Sequence, residues 1–298
     1  MSKQSVGVIG LGAMGGGMAR SLRRAGHDVH VHDARPQVAA AFADEGGQAH
    51  ESAAALARHC DVVISVVVNA AQTESVLFGD QGCAAAMAPG AVFVMCSTVD
   101  PGWSVAMEAR LADMGLLYVD APISGGAARA ASGEITMMTA ARPEAYAKCE
   151  ALFDAMAARV YKLGDSAGAG SKVKIINQLL AGVHIAAAAE AMALGLREGV
   201  DPQALYEVIT HSAGNSWMFE NRMAHVLAAD YTPLSSVDIF VKDLGLVLDM
   251  ARASKFPLPL SATAHQMFMQ ASTSGHAAED DSAVIKIFPG IKLPGDQP

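Results

Sequence analysis

Two lysines in the stretch GSKVKIINQ, residues 170–178, stand two positions apart at the start of a long apolar run. If a helix begins there, Lys174 shares a face with Asn177 and Gln178, whereas Lys172 projects about 200° away from Lys174. A helix that is apolar nearly all round is normally buried, so a small polar cluster at its start favours a cleft over a solvated face. The pattern predicts that Lys174, and not Lys172, serves chemistry.

A glycine pattern near the N terminus predicts a phosphate-binding turn. The stretch VGVIGLGAMGGGMARSL places GxGxxG between a predicted strand and a predicted helix. Gly10 permits the tight turn, Gly12 lets the backbone approach a pyrophosphate, and Gly15 lets the helix pack closely on the strand. The helix N terminus then faces the phosphates. The predicted dinucleotide-binding residues are Gly10, Leu11, Gly12, Ala13, Met14 and Gly15.

The residue that ends the second predicted strand bears on which dinucleotide would bind. Asp33 lies about 20 residues beyond the glycines, where a carboxylate accepts both ribose hydroxyls and repels a 2′-phosphate. Arg35 is a complication, because a nearby arginine accommodates that phosphate. Asp33 occupies the discriminating position, so the sequence favours NAD over NADP. His30 and His32 alternate along this strand, a spacing that favours two residues on one strand face over a metal pair.

A lysine in an apolar cleft beside a dinucleotide suits general acid/base chemistry. Oxidation of a hydroxyl group needs a base for its proton while hydride leaves the same carbon. Lysine has a pKa near 10.4 in water, and burial or neighbouring positive charge lowers that pKa towards neutrality. Asn177 and Gln178 would orient the ammonium group or substrate hydroxyls without a carboxylate to raise the lysine pKa again. This chemistry requires no metal ion.

Length and composition favour a two-domain protein that acts on small molecules. With 298 residues, of which 52% are hydrophobic and 17% charged, the chain exceeds the usual size of a single core. Its formal net charge of −9 argues against nucleic-acid binding, which needs clustered Lys and Arg. Small molecules are therefore the expected partners.

Cysteine spacing and hydropathy bear on the cellular compartment. The four cysteines form no CxxC pair, so neither a zinc knuckle nor a disulfide framework is indicated, and a cytoplasmic location is expected. The N-terminal residues lack the features of a signal peptide. The most apolar stretch, residues 179–196, contains His184 and Glu190, so no membrane-spanning segment is predicted.

Strand and helix patterns alternate from Ser5 to about Lys162. Short runs such as VGVIG, VHVHD, DVVISVV and AVFVMC alternate with helical stretches, which predicts an α/β fold with a doubly wound parallel sheet. After Gly164 the patterns are helical. We predict an NAD-binding Rossmann domain over residues 1–165 and an all-helical substrate and oligomerisation domain over residues 166–298, joined by a long helix. The apolar helices of the second domain predict a homodimer or homotetramer.

Four motifs, GLGAMG, DAPISGG, GAGSKVKIINQ and FVKDLGL, follow one another across nearly the whole chain. With these motifs in this order, the chain resembles the β-hydroxyacid dehydrogenase family, the group of 3-hydroxyisobutyrate dehydrogenase and tartronate semialdehyde reductase. The resemblance implies a Rossmann domain, an all-helical second domain and a connecting helix with a catalytic lysine, matched here by Lys174. The implied activity is the oxidation of a small hydroxy acid by NAD.

The resemblance also implies roles for residues outside the glycine turn and the lysine helix. Ser124, Gly125 and Gly126 of DAPISGG would hold the substrate carboxylate with a hydroxyl and backbone N–H groups. Thr98 in CSTVDP would lie beside the nicotinamide. Lys242 in FVKDLGL would close over the cofactor.

Other members of this architecture provide the alternatives. NADP users of the family tend to carry Asn-Arg-Thr after the second strand, where this chain has Asp33, Ala34 and Arg35. Imine reductases usually lack the lysine. A non-catalytic dinucleotide-binding scaffold would keep the glycines but would not need Lys174, so the presence of Lys174 together with Ser124 favours an enzyme.

Polar residues in HSAGNSWMFENR, residues 211–222, bear on the substrate. Asn215, Ser216, Asn221 and Arg222 could pair with the hydroxyls of a polyhydroxylated acid, since a buried hydroxyl without a partner costs about 1–3 kcal/mol. Alternatively, the segment is an ordinary helix capped by an Asn or Ser side chain. With EDDSAVIKIFPG, it resembles the sugar-acid branch of the family, which implies oxidation of the C2 hydroxyl of a four-carbon acid. The alternative substrates are 3-hydroxyisobutyrate and tartronate semialdehyde.

Overall fold

The computed structural model describes residues 3–296 and divides the chain into two compact units. The first unit ends at Lys174 and the second begins at Ile175. This division lies nine residues beyond the domain boundary predicted after residue 165. Residues 1, 2, 297 and 298 of the two predicted domains lie outside the described residues.

Strands and helices alternate in the first unit, as the sequence predicts. The strands are β1 (Ser5–Ile9), β2 (Asp28–His32), β3 (Gln48–Ala49), β4 (Val62–Ser65), β5 (Val92–Met95), β6 (Leu117–Asp120), β7 (Ile123–Ser124), β8 (Ile135–Ala141) and β9 (Ala157–Lys162). The helices are α1 (Gly15–Arg24), α2 (Pro36–Asp44), α3 (Ala53–Ala57), α4 (Ala70–Phe78), α5 (Pro101–Ala112), α6 (Gly126–Ser132) and α7 (Pro143–Met156), with a 3₁₀ turn at Ala84–Ala86.

The sheet has the order β3-β2-β1-β4-β5-β6-β8-β7, and β9 pairs with β8. The strands from β3 across to β6 are all parallel, so their carboxyl ends share one edge. The chain reverses its direction of winding between β1 and β4, and ligands of such sheets bind at the carboxyl edge beside this switch point. The doubly wound fold predicted from the sequence is confirmed.

Strand β8 is an exception within the parallel sheet, because it runs antiparallel to β6. The last residues of both strands pair, Val119 with Ala141 and Asp120 with Ala140. The chain therefore leaves the sheet at its carboxyl edge through β7 and α6 and re-enters from that same edge. A parallel neighbour would need a crossover back to the amino edge, which this connection does not make.

Burial on both faces explains why the strand sequences are apolar throughout. Every residue of β4 and β5 is buried. Alternate residues face different helical layers: one face carries Val6, Val8, Val62, Ile64, Val92 and Val94, and the other carries Ile9, Val63, Phe93 and Met95. This two-sided burial is typical of a parallel sheet covered by helices.

Helices make up most of the second unit. They are α8 (Ala169–Arg197), which begins in the first unit, then α9 (Pro202–Thr210), α10 (Trp217–Ala228), α11 (Val237–Ser254) and α12 (Pro259–Ala271). A π-helical turn at Ser272–His276 and a 3₁₀-helix at Asp281–Ile287 follow. The predicted change from alternating to helical structure is confirmed.

Helix α8 has 29 residues and is apolar over much of its length. Contrary to the sequence-based expectation, it is long and apolar enough to cross a bilayer, and it is the one such helix among residues 3–296. A core helix meets the same criterion, and 44% of its most apolar window is buried. It contributes Ile185, Ala189 and Met192 to the core of the second unit.

The four cysteines are accounted for by burial, and His30 is accounted for by ring stacking. The four cysteines are buried and free, and burial raises the pKa of Cys60 to about 12, which suppresses the reactive thiolate. The His30 ring stacks with the rings of His50 and His59 at centroid distances of 5.1 and 5.4 Å. In the described part of the chain, no group of three or more His, Cys, Asp or Glu residues is placed to hold a metal ion.

Candidate functional site

The glycine turn lies between β1 and α1, where the backbone is too crowded for side chains at two positions. Gly10 has a φ of +90°, and a Cβ there would lie 2.7 Å from the Val66 carbonyl oxygen. A Cβ at Gly15 would lie 1.9 Å from the Gly10 carbonyl oxygen. The Gly10 N–H donates to the His32 carbonyl at 2.9 Å, which ties the turn to β2.

Open space lies over the middle of the same turn. No atom lies within 4 Å of the position that a Cβ of Gly12 would take. Gly12 and Ala13 are exposed, Met14 is half-buried and Leu11 is buried. The turn therefore presents bare backbone to solvent at the N terminus of α1, as the approach of a phosphate requires.

Asp33 follows β2 and is bound to the glycine turn. Its Oδ2 accepts the Leu11 N–H at 2.7 Å, and its Oδ1 accepts the Arg35 N–H at 2.9 Å and Arg35 Nε at 3.3 Å. Burial raises the pKa of Asp33, but the backbone hydrogen bonds from Arg35 and Leu11 and the Arg35 guanidinium outweigh burial and leave that pKa below its ordinary value. The carboxylate is therefore ionised at neutral pH.

These residues fit a bound dinucleotide. The open backbone over Gly12 suits a pyrophosphate, and the ionised Asp33 carboxylate suits ribose hydroxyls as hydrogen-bond donors. Thr98, predicted to lie beside the nicotinamide, is half-buried just after β5, at the same edge of the sheet. The glycine turn, Asp33 and Thr98 thus follow three strands whose carboxyl ends share that edge.

The DAPISGG motif forms the end of β6, the short strand β7 and the start of α6. Gly125 has a φ of +130° and Gly126 a φ of +74°, conformations that L side chains rarely adopt. Ser124 is half-buried and pairs with Thr136 of β8. The two glycines thus let the chain turn sharply from Ser124 into α6.

Asp120, the first residue of DAPISGG, holds the first turn of α8. Its Oδ2 accepts the N–H groups of Gly168 at 2.8 Å and Ser171 at 2.9 Å, and its Oδ1 accepts Ser171 Oγ at 2.6 Å. Burial raises the pKa of Asp120 above its ordinary value, although the hydrogen bonds from Ser171 and Gly168 oppose that rise. This role of Asp120 is not among the predictions made from the sequence. The sequence held two signals of this contact. One is an acidic residue at the end of a strand, and the other is a helix start, whose N–H groups need acceptors.

Lys174 lies one turn beyond the start of α8. The helix begins at Ala169, one residue before the predicted start. The Lys174 side chain is buried, with 7% of its surface exposed, whereas Lys172 is exposed. The predicted helical phase is confirmed. Asn177, at i+3 from the buried lysine, is half-buried.

Gln178 belongs to a polar network within the second unit. Asn177 Nδ2 donates to Gln178 Oε1 at 3.0 Å, and Gln178 Nε2 donates to Asp243 Oδ2 at 2.6 Å. Lys242 Nζ donates to Asp243 Oδ1 at 2.5 Å. Asp243 is almost fully buried and joins Lys242 to Gln178. The expectation of amides without a carboxylate beside the lysine is therefore wrong. No local pattern indicates this contact, because 65 positions separate Gln178 from Asp243.

Within residues 211–222, Ser216, Asn221 and Arg222 have structural contacts. Ser216 caps α10 by accepting the Phe219 N–H at 3.0 Å, so the helix-cap alternative is confirmed. Arg222 is buried against Asp281, with Nη2 3.1 Å from Oδ2, and it also donates to Asn221. The support that Ser216, Asn221 and Arg222 gave to a polyhydroxylated substrate is therefore withdrawn.

Two protein families match the chain in succession. Residues 5–164 match the NAD binding domain of 6-phosphogluconate dehydrogenase. Residues 168–288 match a family described as NAD-binding of NADP-dependent 3-hydroxyisobutyrate dehydrogenase. Together the matches cover both units and show an enzyme architecture that binds a nicotinamide dinucleotide.

Individual relatives match over nearly the full length. An L-threonate dehydrogenase of Cupriavidus necator is 69% identical over 292 residues, which cover 98% of both chains. An L-threonate dehydrogenase of Escherichia coli is 50% identical over 99% of this chain and 98% of its own. A crystal structure of 3-hydroxyisobutyrate dehydrogenase from Salmonella typhimurium is 52% identical, with a TM-score of 0.93 over 96% of this chain and all of the other.

Two glycine substitutions separate the folding role of the turn from its binding role. We expect Gly12→Ala to leave the free energy of unfolding within about 0.5 kcal/mol of wild type, since the position is open, but to weaken dinucleotide binding at least about tenfold. Gly15→Ala should cost at least about 1–3 kcal/mol of stability, because its Cβ meets the Gly10 carbonyl oxygen. Urea unfolding and calorimetric titration with NAD measure these effects. A Gly12→Ala protein that binds NAD as tightly as wild type would contradict the assignment.

Proposed function

Because the chain belongs to the β-hydroxyacid dehydrogenase family, we propose that it oxidises L-threonate to 2-dehydro-L-erythronate with NAD, using Lys174 as general acid/base. One observation carries the choice of substrate: 69% identity, over 98% of both chains, with a protein named L-threonate dehydrogenase. The broader activity, a nicotinamide-dependent oxidation of a CH–OH group, follows from family membership.

Lys174 is the proposed proton acceptor in this reaction. When bound, NAD supplies the hydride acceptor. The Nζ atom of Lys174 takes the proton from the C2 hydroxyl as that carbon becomes a carbonyl, and it returns the proton in the reverse direction. The amine must be unprotonated for the oxidation, a state that burial away from water favours for lysines. The side chain is 7% exposed.

The DAPISGG motif supplies the proposed substrate-carboxylate site. The Ser124 hydroxyl and the backbone N–H groups of Gly125 and Gly126 would donate to the carboxylate, since glycines at these φ values leave the backbone accessible. Asn177 is proposed to contact the substrate hydroxyls. Gln178, bound to the Asp243 carboxylate, would support Asn177 and act on the substrate mainly through it. Lys242, held by the same carboxylate, is proposed to close over the cofactor.

We propose NAD in preference to NADP. The argument is that the ionised Asp33 carboxylate would meet a 2′-phosphate with like charge, whereas it accepts hydrogen bonds from free ribose hydroxyls. Arg35, paired with Asp33, is the residue that would weaken this preference for NAD over NADP.

A competing proposal concerns the substrate. The Salmonella typhimurium protein, 52% identical, is named 3-hydroxyisobutyrate dehydrogenase, so that branched acid is the alternative substrate. The family resemblance adds tartronate semialdehyde, in the reductive direction, as a further alternative. A non-catalytic dinucleotide-binding scaffold is the alternative of a different class. It would bind NAD but turn over none of these acids.

Assembly and location complete the proposal. We propose a homodimer or homotetramer, supported by large apolar side chains of the second unit that are each more than half exposed: Ile176, Leu180, Leu194, Val208, Phe256 and Leu260. Light scattering that reports the 30.7 kDa of a single chain would contradict it. We also propose a cytoplasmic location, since buried free thiols suit a reducing compartment.

Substitution of the two lysines tests the catalytic assignment. Lys174→Ala should lower kcat at least about 100-fold, as expected for loss of a general acid/base, while the Kd for NAD stays within about threefold. Lys172→Ala is the matched control on the exposed helix face and should keep kcat within about twofold. Steady-state kinetics and NAD titration give both values. More than about a tenth of wild-type turnover in Lys174→Ala, or an equal collapse in Lys172→Ala, would show that the assignment is wrong.

Cofactor choice is tested at Asp33. Wild type should prefer NAD over NADP by at least about tenfold in kcat/KM, and Asp33→Asn should reduce that preference because it removes the charge that repels the 2′-phosphate. Arg35→Gln serves as the control and should lower NADP use more than NAD use. Equal use of both cofactors by wild type would remove the basis for the NAD assignment.

The substrate is tested with a panel of acids. NADH formation is measured with L-threonate, D-erythronate, D-glycerate and 3-hydroxyisobutyrate, and NADH consumption with tartronate semialdehyde. We expect kcat/KM for L-threonate to exceed every other value by at least about tenfold, equivalent to about 1.4 kcal/mol of transition-state discrimination. A higher value for 3-hydroxyisobutyrate would instead support the alternative dehydrogenase, and no turnover of any acid would support the scaffold.

A further inference from the structure

One buried carboxylate connects the motif proposed to hold the substrate carboxylate to the helix that carries Lys174. Asp120 is fully buried at the end of β6, where its backbone pairs with Met95 of β5 on one side and Ala140 of β8 on the other. Strands on both sides therefore fix its position. Its side chain accepts three hydrogen bonds, two from Ser171 and one from Gly168. Carboxylate oxygens also interact favourably with the positive end of a helix dipole.

Close backbone packing makes this junction rigid. A Cβ at Gly170 would lie 2.4 Å from the Met138 carbonyl oxygen and 3.0 Å from the Asp120 carbonyl oxygen. The first turn of α8 thus rests directly on the main chain of β6 and β8. Met138 is also bound to the DAPISGG segment, because its N–H donates to the Pro122 carbonyl at 2.9 Å. A shift of the helix start would disturb this whole contact.

Ser171 and Lys174 belong to the same helix, so a contact that fixes Ser171 also fixes the position of Lys174. The two residues are three positions apart, so they share a helix face and lie about 4.5 Å apart along the axis. Asp120 is also close in sequence to Ser124, which follows it by four residues within the same motif. The Asp120 carboxylate therefore sets where Lys174 stands relative to the strand that leads to Ser124.

We propose that Asp120 is a positioning residue for the reaction: its carboxylate fixes the first turn of α8 and thereby the point from which Lys174 reaches the substrate. Its effect is on alignment, and Lys174 performs the proton transfer. This inference rests on the proposed function for the role of Lys174. Misplacement of a catalytic group by about 1 Å can cost about 100-fold in rate, so a loosened helix start should slow the chemical step.

Two variants and one control test the proposal. Asp120→Asn keeps the side-chain shape but removes the charge and one acceptor. Ser171→Ala removes only the Oγ hydrogen bond and leaves both backbone donors. Ser52→Ala is the matched control, because Ser52 is a buried serine that caps α3 in the same unit by accepting the Ala55 N–H at 3.1 Å. The measurements are kcat, the primary deuterium isotope effect on kcat with L-threonate deuterated at C2, the Kd for NAD, and hydrogen exchange of residues 166–176.

We expect kcat to fall about 10–100-fold in Asp120→Asn and about 3–10-fold in Ser171→Ala, with a larger isotope effect and faster exchange at residues 166–176 in both. The Kd for NAD should stay within about threefold. Ser52→Ala should lower the Tm but leave kcat, isotope effect and local exchange unchanged. If Asp120→Asn does not fold, Ser171→Ala decides the question.

The proposal is overturned if kcat and the isotope effect stay at wild-type values in the folded variants, even where exchange is faster, since the carboxylate would then serve stability alone. Unchanged exchange at residues 166–176 would also overturn it. Failure of the proposed function looks different: the wild-type protein would not oxidise L-threonate, while hydrogen exchange would still report whether Asp120 fixes the helix start.

Discussion

Three hydrogen bonds to the Asp120 carboxylate fix where α8 begins, and the buried position of Lys174 depends on that start. If the helix kept its place but the sequence entered it one residue later, a side chain other than Lys174 would occupy the buried position. The carboxylate is expensive to bury, as the rise in its pKa shows, and its three donors offset that cost. A hydrophobic residue at position 120 would leave the N–H groups of Gly168 and Ser171 without this acceptor.

The carboxyl edge of the parallel sheet gathers the rest of the site in the first unit. β1 leads into the glycine turn, β2 into Asp33, β5 into Thr98 and β6 into DAPISGG. At this edge, glycine occupies the positions where a ligand or another segment must come close to the backbone. The open space over Gly12 and the crowding at Gly15 and Gly170 are two uses of the same residue type: at Gly12 the backbone stays open to solvent, and at Gly15 and Gly170 it makes room for other main chain.

Features that depend on local sequence could be predicted, whereas features that depend on distant contacts could not. The glycine turn, the strand ends and the phase of α8 each depend on a few consecutive residues, and the structure confirms the buried Lys174 and exposed Lys172. The direction of β8 depends on where the chain re-enters the sheet. Asp120 binds Ser171 across 51 positions, and Arg222 binds Asp281 across 59. No local pattern showed that Arg222 had such a partner, so the sequence left a substrate contact open as one of two alternatives for it.

Transfer of deuterium from a labelled substrate tests the central claim most directly. L-threonate carrying deuterium at C2 is incubated with the wild-type protein and NAD, and the reduced cofactor is analysed by mass spectrometry, with substrate deuterated at C3 as the control. Oxidation of the C2 hydroxyl predicts one deuterium atom in each reduced cofactor molecule from the C2-labelled acid and none from the C3-labelled acid. Deuterium transferred from C3, or no reduced cofactor from either acid, would contradict it.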